Sequence, residues 1–271
     1  MKYHLYSFGI LLFVLPLNAK GQDKALDELI HYQFRDCPFL SFEDRTVENP
    51  SVFCLENYAF KYSFDLNSTV LTFHIIAPEN LIIPKSRSKA KRLSNFPPVL
   101  FGDTLISRTN YDYKSSGYDR GHLVPAGDFI WNQHLKNLTF YHVNIVHQKD
   151  FLNRGVWLGL ESKIRQRVID SKSKAYVYTG AFFAENQRDS VGENLVDVAE
   201  AMYKMVYLPK EEVAYCWLFM NKIQSTDALE NHQITVDQLE SLIGHDFLSG
   251  LSLVKENKIE SSLVMFDGSK R

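Results

Sequence analysis

The sequence has few cysteines, no low-complexity tract and no long apolar run beyond its first residues, and each absence excludes a class of protein. Only three cysteines occur in 271 residues, and their spacing does not fit a zinc site. No internal repeat and no Gly-, Ser- or Pro-rich linker divides the chain, so one main domain is expected. After the N-terminus, no stretch is long and apolar enough to cross a bilayer.

A strong positive charge is also absent. The formal net charge is −2, which excludes a protein coated in positive charge for nucleic acid. Basic residues are nevertheless concentrated in one strip, which consists of Lys85, Arg87, Lys89, Lys91 and Arg92. Most such runs are solvated surface, and the alternative is a strip that contacts phosphates. The sequence leaves both interpretations open.

Residues 1–21 have the pattern of a secretory signal. Lys2 precedes an apolar segment at 8–17, and small residues near Ala19 could form a cleavage site. An apolar run of about ten residues is too short to span a bilayer. A secreted or periplasmic protein without a membrane anchor is therefore expected, with a retained N-terminal tether as the alternative.

The three cysteines allow one bridge, which the sequence leaves open, and predict one free thiol. Cys37 and Cys54 lie in the N-terminal segment, where an oxidising compartment would permit a bridge between them. Cys216 lies in an apolar run, which predicts a buried free thiol.

Hydrophobic periodicity predicts alternating strands and a few helices. Strands are expected at 59–64, 69–76, 123–129, 140–146, 175–180, 202–208 and 213–220, and helices at 25–32, 150–169 and 236–248. The polar segment from Lys255 predicts a frayed tail. The resulting division is a signal at 1–21, an extension at 22–57, the main domain at 58–252 and a tail at 253–271.

The motif Asp119-Arg120-Gly121-His122 contains the most chemistry. His122 is a candidate general base near neutral pH. The Arg120 guanidinium offers a planar set of donors to a phosphate. Gly121 allows a turn or a close approach of the backbone to a ligand.

A second group of candidates lies on the helix predicted at 150–169. Asn153, Trp157 and Glu161 are spaced at i, i+4 and i+8, so they share one stripe of a regular helix. The Asn153 amide oxygen could bind a hard cation. Glu161, about 12 Å further along the axis, could hold metal-bound water. Taken singly, these residues would more often be a polar helix start and a solvated charge.

Together these motifs resemble the DNA/RNA non-specific endonucleases, the ββα-metal group with an Asp-Arg-Gly-His signature. The resemblance covers roughly residues 58–250. Its main segments are 119–122, 144–148, 153–157 and 160–161, and the segments 178–180, 203–204 and 240–247 also look like the family. It implies an α+β fold of the ββα-metal (His-Me finger) type, with a central, mostly antiparallel sheet flanked by helices. The implied activity is a secreted, metal-dependent endonuclease that hydrolyses phosphodiester bonds of DNA and RNA with little sequence specificity.

The resemblance also implies a role for each matching residue. His122 would be the general base, Asn153 the direct protein ligand of Mg²⁺, and Glu161 would orient water on the metal. Arg120 would contact the phosphate and stabilise developing charge, and Asn144 would support the site by hydrogen bonding. Arg92 is the best match for a further phosphate-binding arginine upstream.

The chain departs from the family pattern at His147, where the family usually has proline. His147 is expected to be structural or peripheral, and neither a base nor a ligand. Asp119 is interpreted as a support for the loop. His134 and His142 are expected in the surface or the core.

The residues agree with a single hydrated Mg²⁺, or Mn²⁺ as the alternative, since no cluster of carboxylates suited to a two-metal nuclease occurs among the motifs. The expected partners are the DNA and RNA backbones. A homodimer and an inhibitor protein are left open. The alternative functions are a catalytically silent nuclease-like module that binds nucleic acid and a phosphodiesterase for a smaller substrate.

Overall fold

Seven antiparallel strands form the central sheet, and their order across it is Gln233–Ile234, Val213–Met220, Ala201–Leu208, Ala175–Phe182, Ser68–Ile76, Ala59–Ser63 and Ser51–Cys54. The computed structural model describes residues 12–13, 51–83, 89–97, 99–101, 104–106, 109–184, 189–222, 228–249 and 251–266. The predicted α+β class, with a mostly antiparallel sheet flanked by helices, is confirmed.

The element bounds are as follows. The strands are β1 Leu12–Phe13, β2 Ser51–Cys54, β3 Ala59–Ser63, β4 Ser68–Ile76, β5 Val99–Phe101, β6 Thr104–Ile106, β7 Asp119–His122, β8 Ile145–Gln148, β9 Ala175–Phe182, β10 Ser190–Val191, β11 Val196–Asp197, β12 Ala201–Leu208, β13 Val213–Met220 and β14 Gln233–Ile234. The helices are α1 Pro78–Leu81, α2 Gln133–Leu138, α3 Asp150–Leu152, α4 Leu158–Ser171, α5 Val236–Ile243 and α6 Leu253–Glu260.

Both faces of the central sheet are covered, which explains why β12 is buried along its whole length. On one face, Met202 and Val206 belong to the cluster that includes Leu160 of α4. On the other face, Met205 belongs to the cluster that includes residues of α5 and α6, such as Leu239. Side chains alternate between the faces of a strand, so a strand covered on both faces consists mostly of apolar residues.

The prediction of a strand at 123–129 is wrong, because the residues that pair with a neighbouring strand lie earlier in the chain. The motif itself forms β7, Asp119–His122, which pairs with β8. Pro125 has no N–H to donate to a ladder, and residues Ala126–Phe129 form a 3-10 helix instead. The strand predicted at 140–146 is likewise shifted, since His142–Asn144 is a 3-10 turn and the strand is Ile145–Gln148.

The helix predicted at 150–169 exists, but it is not regular. Residues Asp150–Leu152 are α-helical, Asn153–Trp157 form a π-helical segment, and Leu158–Ser171 are α-helical again. Gly155 has non-helical angles (φ −100°, ψ −114°) within the π segment. The i, i+4, i+8 geometry of a straight helix therefore does not apply across this segment.

The C-terminal part differs from its predictions in two places. The helix predicted at 236–248 ends at Ile243, because Gly244 adopts a left-handed conformation with φ 64° that terminates the helix. The segment predicted to fray from Lys255 instead contains α6, Leu253–Glu260. Phe266 is 3% exposed, with its ring centroid 5.1 Å from that of Trp217, so apolar burial holds this segment against the sheet.

Several N-terminal expectations lie outside the described residues, including the helix at 25–32 and Cys37, one of the two cysteines of the bridge that the sequence leaves open. Within the segment expected to be a signal, Leu12–Phe13 pairs with β5. Cys216 is buried and free, as predicted. In the described part of the chain, no helix combines the length and hydropathy needed to cross a membrane.

Candidate active site

The β7–β8 hairpin carries the Asp-Arg-Gly-His motif beside the start of the helical segment at 150–171. Its register pairs Asp119 with Gln148 and His122 with Ile145. A Cβ atom on Gly121 would collide with the Gln148 side chain, so only glycine fits this position without a shift. The glycine of the motif therefore allows the two strands of the hairpin to pack closely.

His122 lies in an apolar setting next to two arginines. Its ring centroid is 4.9 Å from that of Phe140, edge-on, and 5.8 Å from that of Phe96. Burial, together with the positive charges of Arg92 and Arg120, lowers the pKa of His122 to about 3. Its Nε2 atom is buried and has no hydrogen-bond partner among the described residues. The imidazole is therefore neutral and able to accept a proton.

The structure brings Arg92 and Arg120 together around His122. The Arg120 guanidinium carbon lies 4.3 Å from the Phe96 ring centroid, and its Nη1 donates to Asn110 Oδ1 at 2.7 Å. The Arg92 guanidinium carbon lies 5.2 Å from the Phe140 ring centroid. Two guanidinium groups held on aromatic faces beside one imidazole form a site suited to a phosphate.

Residues 89–92, the part of the basic strip that the structure describes, are attached to α2. Lys91 N–H donates to Gln133 Oε1 at 2.7 Å, and Gln133 Nε2 donates to the Lys91 carbonyl at 3.0 Å. Lys136 Nζ donates to the Ala90 carbonyl at 2.9 Å. These bonds hold the backbone immediately before Arg92, and they explain how an exposed loop can present that arginine to His122.

Asn153 is oriented by Asp119. The Asn153 Nδ2 group donates to Asp119 Oδ2 at 2.9 Å, while Arg154 donates to both Asp119 oxygens, through Nε at 2.7 Å and Nη2 at 2.5 Å. Burial raises the pKa of Asp119, but the hydrogen bonds from Arg154 and Asn153 lower it by more, so the pKa lies below its ordinary value. A carboxylate only accepts hydrogen bonds, so the Asn153 amide nitrogen must face it. The support expected of Asp119 is thus directed at Asn153.

This orientation suits a hard cation at Asn153. No described residue donates a hydrogen bond to Asn153 Oδ1, so the amide oxygen remains available as a ligand. An amide oxygen is the donor type that Mg²⁺ and Mn²⁺ accept, and Mg²⁺ usually keeps several waters in addition to few protein ligands. The residues present fit a single hydrated divalent metal.

Glu161 lies in a mostly buried group of charges at the first turn of α4. Its side chain is 11% exposed, and its Oε2 lies 4.0 Å from Arg165 Nη1. Burial raises the pKa of Glu161, whereas the positive charges of Lys204 and Arg165 lower it. The ionised state of Glu161 thus depends on cations supplied by two other positions.

Lys204 belongs to the same group, and the sequence patterns assigned it no role. It is 1% exposed in the middle of β12, its Nζ donates to Thr179 Oγ1 at 2.5 Å, and it lies 4.8 Å from the Trp157 ring centroid. Burial lowers the pKa of Lys204, and the charge of Glu161 raises it. A lysine within an otherwise apolar strand was the available signal, since such a residue must be paired when buried.

Asp128 and His74 complete the same network. Asp128 Oδ1 accepts from Arg165 Nη1, and His74 Nε2 contacts Asp128 Oδ2, both at 2.9 Å. These contacts connect α4, the segment after the motif and β4. The charged side chains near Glu161 are therefore held by three separate elements.

Asn144 supports the backbone that follows His122. Its Oδ1 accepts from Val124 N–H at 2.9 Å, and its Nδ2 donates to the carbonyls of Val124 and Thr139 at 2.9 and 2.8 Å. The side chain is fully buried. Because these bonds engage both ends of the amide, Asn144 acts through the loop, in the supporting role that the resemblance implies.

The other histidines are placed in packing or surface positions. His147 is 1% exposed and stacks on Tyr113 with ring centroids 4.0 Å apart. His142 is fully buried. His134 has a side chain that is 52% exposed and contacts Glu56 at 2.5 Å.

Comparison with known proteins gives one family. A family model described as DNA/RNA non-specific endonuclease matches residues 38–253. Nuclease C1 of Cunninghamella echinulata var. echinulata is 30% identical over 169 residues, which are 58% of this chain and 65% of that protein. A nuclease of Nostoc sp. is 30% identical over 189 residues, which are 64% of this chain and 66% of that protein. In both cases the match spans slightly less than two thirds of the relative.

Two further comparisons are shorter or more distant. Mitochondrial endonuclease G of Homo sapiens is 35% identical over 109 residues, which are 37% of this chain and 36% of that protein. Among solved structures, the crystal structure of the EndoG/EndoGI complex matches with a TM-score of 0.61 and 21% identity, over 87% of this chain and 95% of that chain. This structural likeness shows the fold.

Proposed function

This chain belongs to the DNA/RNA non-specific endonuclease family, and on that basis we propose that it is an Mg²⁺-dependent endonuclease. The proposed reaction is hydrolysis of phosphodiester bonds in DNA and RNA with little sequence preference, after export from the cytoplasm. The observation that carries the proposal is a neutral His122 set between Arg92 and Arg120 on the hairpin that also orients Asn153.

His122 is the general base. At neutral pH it is unprotonated, since its pKa is lowered to about 3, and it can accept a proton from the attacking water. A base with so low a pKa is weak, but part of the lowering comes from Arg92 and Arg120. A bound phosphate offsets those two charges, so substrate binding raises the pKa of His122 towards the working range.

Arg92 and Arg120 bind the phosphate. Their positions on the Phe140 and Phe96 rings hold both guanidinium groups near His122. Each can donate to phosphate oxygens and stabilise the negative charge that develops as water adds to phosphorus. Contacts to the backbone alone do not read the bases, which fits cleavage without sequence preference.

Asn153 would hold the metal through Oδ1, and Glu161 would accept hydrogen bonds from water in the site. Bound Mg²⁺, or Mn²⁺, would supply charge neutralisation at the phosphate and at the leaving oxygen. Asp119 keeps the Asn153 amide in the required orientation. Lys204 favours the ionised form of Glu161, which is the form that only accepts hydrogen bonds.

The test is plasmid nicking and RNA cleavage in a series of metals. His122→Ala is expected to lower the rate by about 10²- to 10⁴-fold, the usual contribution of a general base. His134→Ala is the matched control, because His134 is exposed and contacts Glu56 instead of the site. EDTA is expected to abolish cleavage.

Full activity in His122→Ala would refute the assigned base. Binding of DNA without any turnover in Mg²⁺ or Mn²⁺ would favour a silent binding module instead. Cleavage of bis-p-nitrophenyl phosphate with no cleavage of plasmid or RNA would favour a phosphodiesterase for a smaller substrate.

A further inference from the structure

The turn that precedes the Asp-Arg-Gly-His motif carries an exposed aromatic residue. Residues Asn110–Tyr113 form a 3-10 turn, and Tyr111 within it is 72% exposed. Neither the packing of the core nor the proposed chemical steps involve this side chain. A single large side chain exposed to water is ordinary on a protein surface, so its significance depends on where the turn holds it.

The turn is attached to the arginine that would hold the phosphate. Arg120 Nη1 donates to Asn110 Oδ1 at 2.7 Å, and Asn110 Nδ2 donates to Asn95 Oδ1 at 2.9 Å. Asn95 precedes Phe96, and the Arg120 guanidinium lies over the Phe96 ring. Tyr111 directly follows Asn110, so their Cα atoms are about 3.8 Å apart. The turn therefore places Tyr111 at the edge of the proposed phosphate site, close enough for its ring to meet a base beside that phosphate.

The side chain that follows Tyr111 points into the protein and anchors the turn there. Asp112 is 1% exposed, and its Oδ2 accepts from Thr109 N–H at 2.7 Å. Asn194 Nδ2, from the segment between β10 and β11, donates to both Asp112 oxygens at 3.0 and 2.8 Å. Tyr113, the last residue of the turn, is only 7% exposed. Tyr111 is thus an outward-facing aromatic residue on a turn that is fixed from inside.

A fixed turn lowers the cost of stacking a base on this ring. The Tyr111 N–H donates to Thr109 Oγ1 at 3.2 Å, and the Tyr111 carbonyl accepts from Lys114 N–H at 3.0 Å. Because the backbone is already ordered, binding has to order only the two side-chain torsions of tyrosine. Stacking on an aromatic ring tolerates every base, since each base has a π face. Such a contact is compatible with cleavage that has little sequence preference.

We propose that Tyr111 stacks on an unpaired nucleobase beside the phosphate held by Arg120, and that it thereby favours single-stranded nucleic acid over duplex. This inference rests on the proposed function, because it concerns the substrate of the same site. A base in a duplex must leave its pair and its stack before it can lie on the ring, and this cost is smallest for a base that is already unpaired. Tyr111 is therefore a specificity-determining residue that takes no part in the chemical step.

The first test is binding measured by fluorescence anisotropy in EDTA, in the His122→Ala background so that no strand is cut. One probe is an end-labelled single-stranded DNA of mixed sequence, and the other is the same strand with an abasic site at every position. Tyr111→Ala is expected to raise the Kd for the strand with bases by about 5- to 150-fold. The Kd for the abasic strand is expected to stay unchanged, and Tyr111→Trp, which keeps an aromatic face, is expected to keep tight binding of the first probe.

Two further variants control for exposure and for apolar bulk. Leu253 is 74% exposed on α6, which packs against the other face of the sheet through Ile259, so Leu253→Ala should change neither Kd. Tyr111→Leu keeps an apolar side chain and removes the aromatic ring. It should therefore weaken binding as Tyr111→Ala does, and it serves in place of Tyr111→Ala if that variant does not fold.

Cleavage by the chain with His122 intact separates this inference from the proposed function. In Tyr111→Ala, the ratio of kcat/KM for single-stranded DNA to kcat/KM for duplex should fall by about the factor seen in binding. An unchanged ratio, an equal rise in Kd for both probes, unchanged Kd values, or no binding of either probe by the parent would overturn the inference. A chain that binds single strands through Tyr111 but cleaves no nucleic acid would support the stacking contact and refute the proposed nuclease activity.

Discussion

Replacement of Asp119 by asparagine tests how the metal ligand is oriented. Asp119 accepts one hydrogen bond from Asn153 Nδ2 and two from Arg154. Asparagine at this position keeps one acceptor oxygen, which Arg154 can occupy, and turns an amide nitrogen towards Asn153. Asn153 would then have to rotate its amide and present Oδ1 to residue 119, which withdraws the oxygen from the metal.

The expected effect of Asp119→Asn is on metal affinity. Loss of a partner that orients a metal ligand typically lowers metal affinity by about 10- to 100-fold, which corresponds to about 1.4–2.7 kcal/mol. Initial rates of plasmid nicking, measured against Mg²⁺ concentration, should therefore show a midpoint raised by that factor. At saturating Mg²⁺ the rate should recover most of its original value, because His122, Arg92 and Arg120 are unchanged.

Arg154→Ala is the matched control for this prediction. Arg154 has a side chain that is 71% exposed, and its removal leaves the Asn153–Asp119 hydrogen bond in place. An exposed ion pair contributes at most about 1 kcal/mol, so the Mg²⁺ midpoint should move by less than about fivefold. An unchanged midpoint with a lower maximum rate in Asp119→Asn would refute the orienting role of Asp119.

Three further predictions concern the buried charges and the core. Lys204→Met removes a charge that lowers the pKa of Glu161, so the acid limb of the kcat/KM profile against pH should move to higher pH by about 1–2 units. The control is Lys210→Met at an exposed position, which should leave the acid limb in place. An acid limb at the same pH in Lys204→Met as in the parent would contradict the electrostatic coupling between Lys204 and Glu161. Glu161 and Glu260 have pKa values raised above the ordinary 4.5. The folded state therefore binds more protons than the unfolded chain at pH values between 4.5 and the raised pKa values. In EDTA, the contribution of these two residues to stability is full below about pH 4.5 and is lost as pH rises through the raised pKa values. Denaturant unfolding between pH 4.5 and 8.5 should show this decline, with a shallower slope in Glu260→Gln. Leu160→Ala should lower the free energy of unfolding by about 2–5 kcal/mol, because Leu160 is 0% exposed. Leu158→Ala, at a position 50% exposed in the same helix, should cost far less, and equal losses would show that burial does not set the effect.

Local patterns predicted the sheet well and the turns poorly. Alternating or continuous apolar runs identified the long strands β3, β4, β9, β12 and β13, because burial on a pleated surface leaves a direct trace in sequence. The region around the motif was predicted less well, since β7 consists of Asp-Arg-Gly-His and has no apolar face to reveal it. Its pairing with β8 depends on a partner more than twenty residues away.

The short motifs identified the residues of the candidate site, because His122, Asn144 and Asn153 each lie in a short, characteristic sequence motif. The family comparison confirms the resemblance that these motifs carried. Their individual roles remain predictions. Sequence spacing could not show that Asp119 accepts a hydrogen bond from Asn153 and so orients its amide. That role depends on a contact between β7 and the helical segment at 150–171.

Long-range packing determines the charges that act on these groups. Arg92 precedes His122 by 30 positions and reaches it only because its loop is tied to α2. Lys204 reaches Glu161 from the face of the sheet that packs against α4, and Glu260 meets Asp246 where α6 folds back over α5. Residue types and local motifs are properties of short segments and can be read from the chain. Burial and the electric field at each group depend on contacts between distant segments, and these exist only once the sheet and its two helical layers have formed.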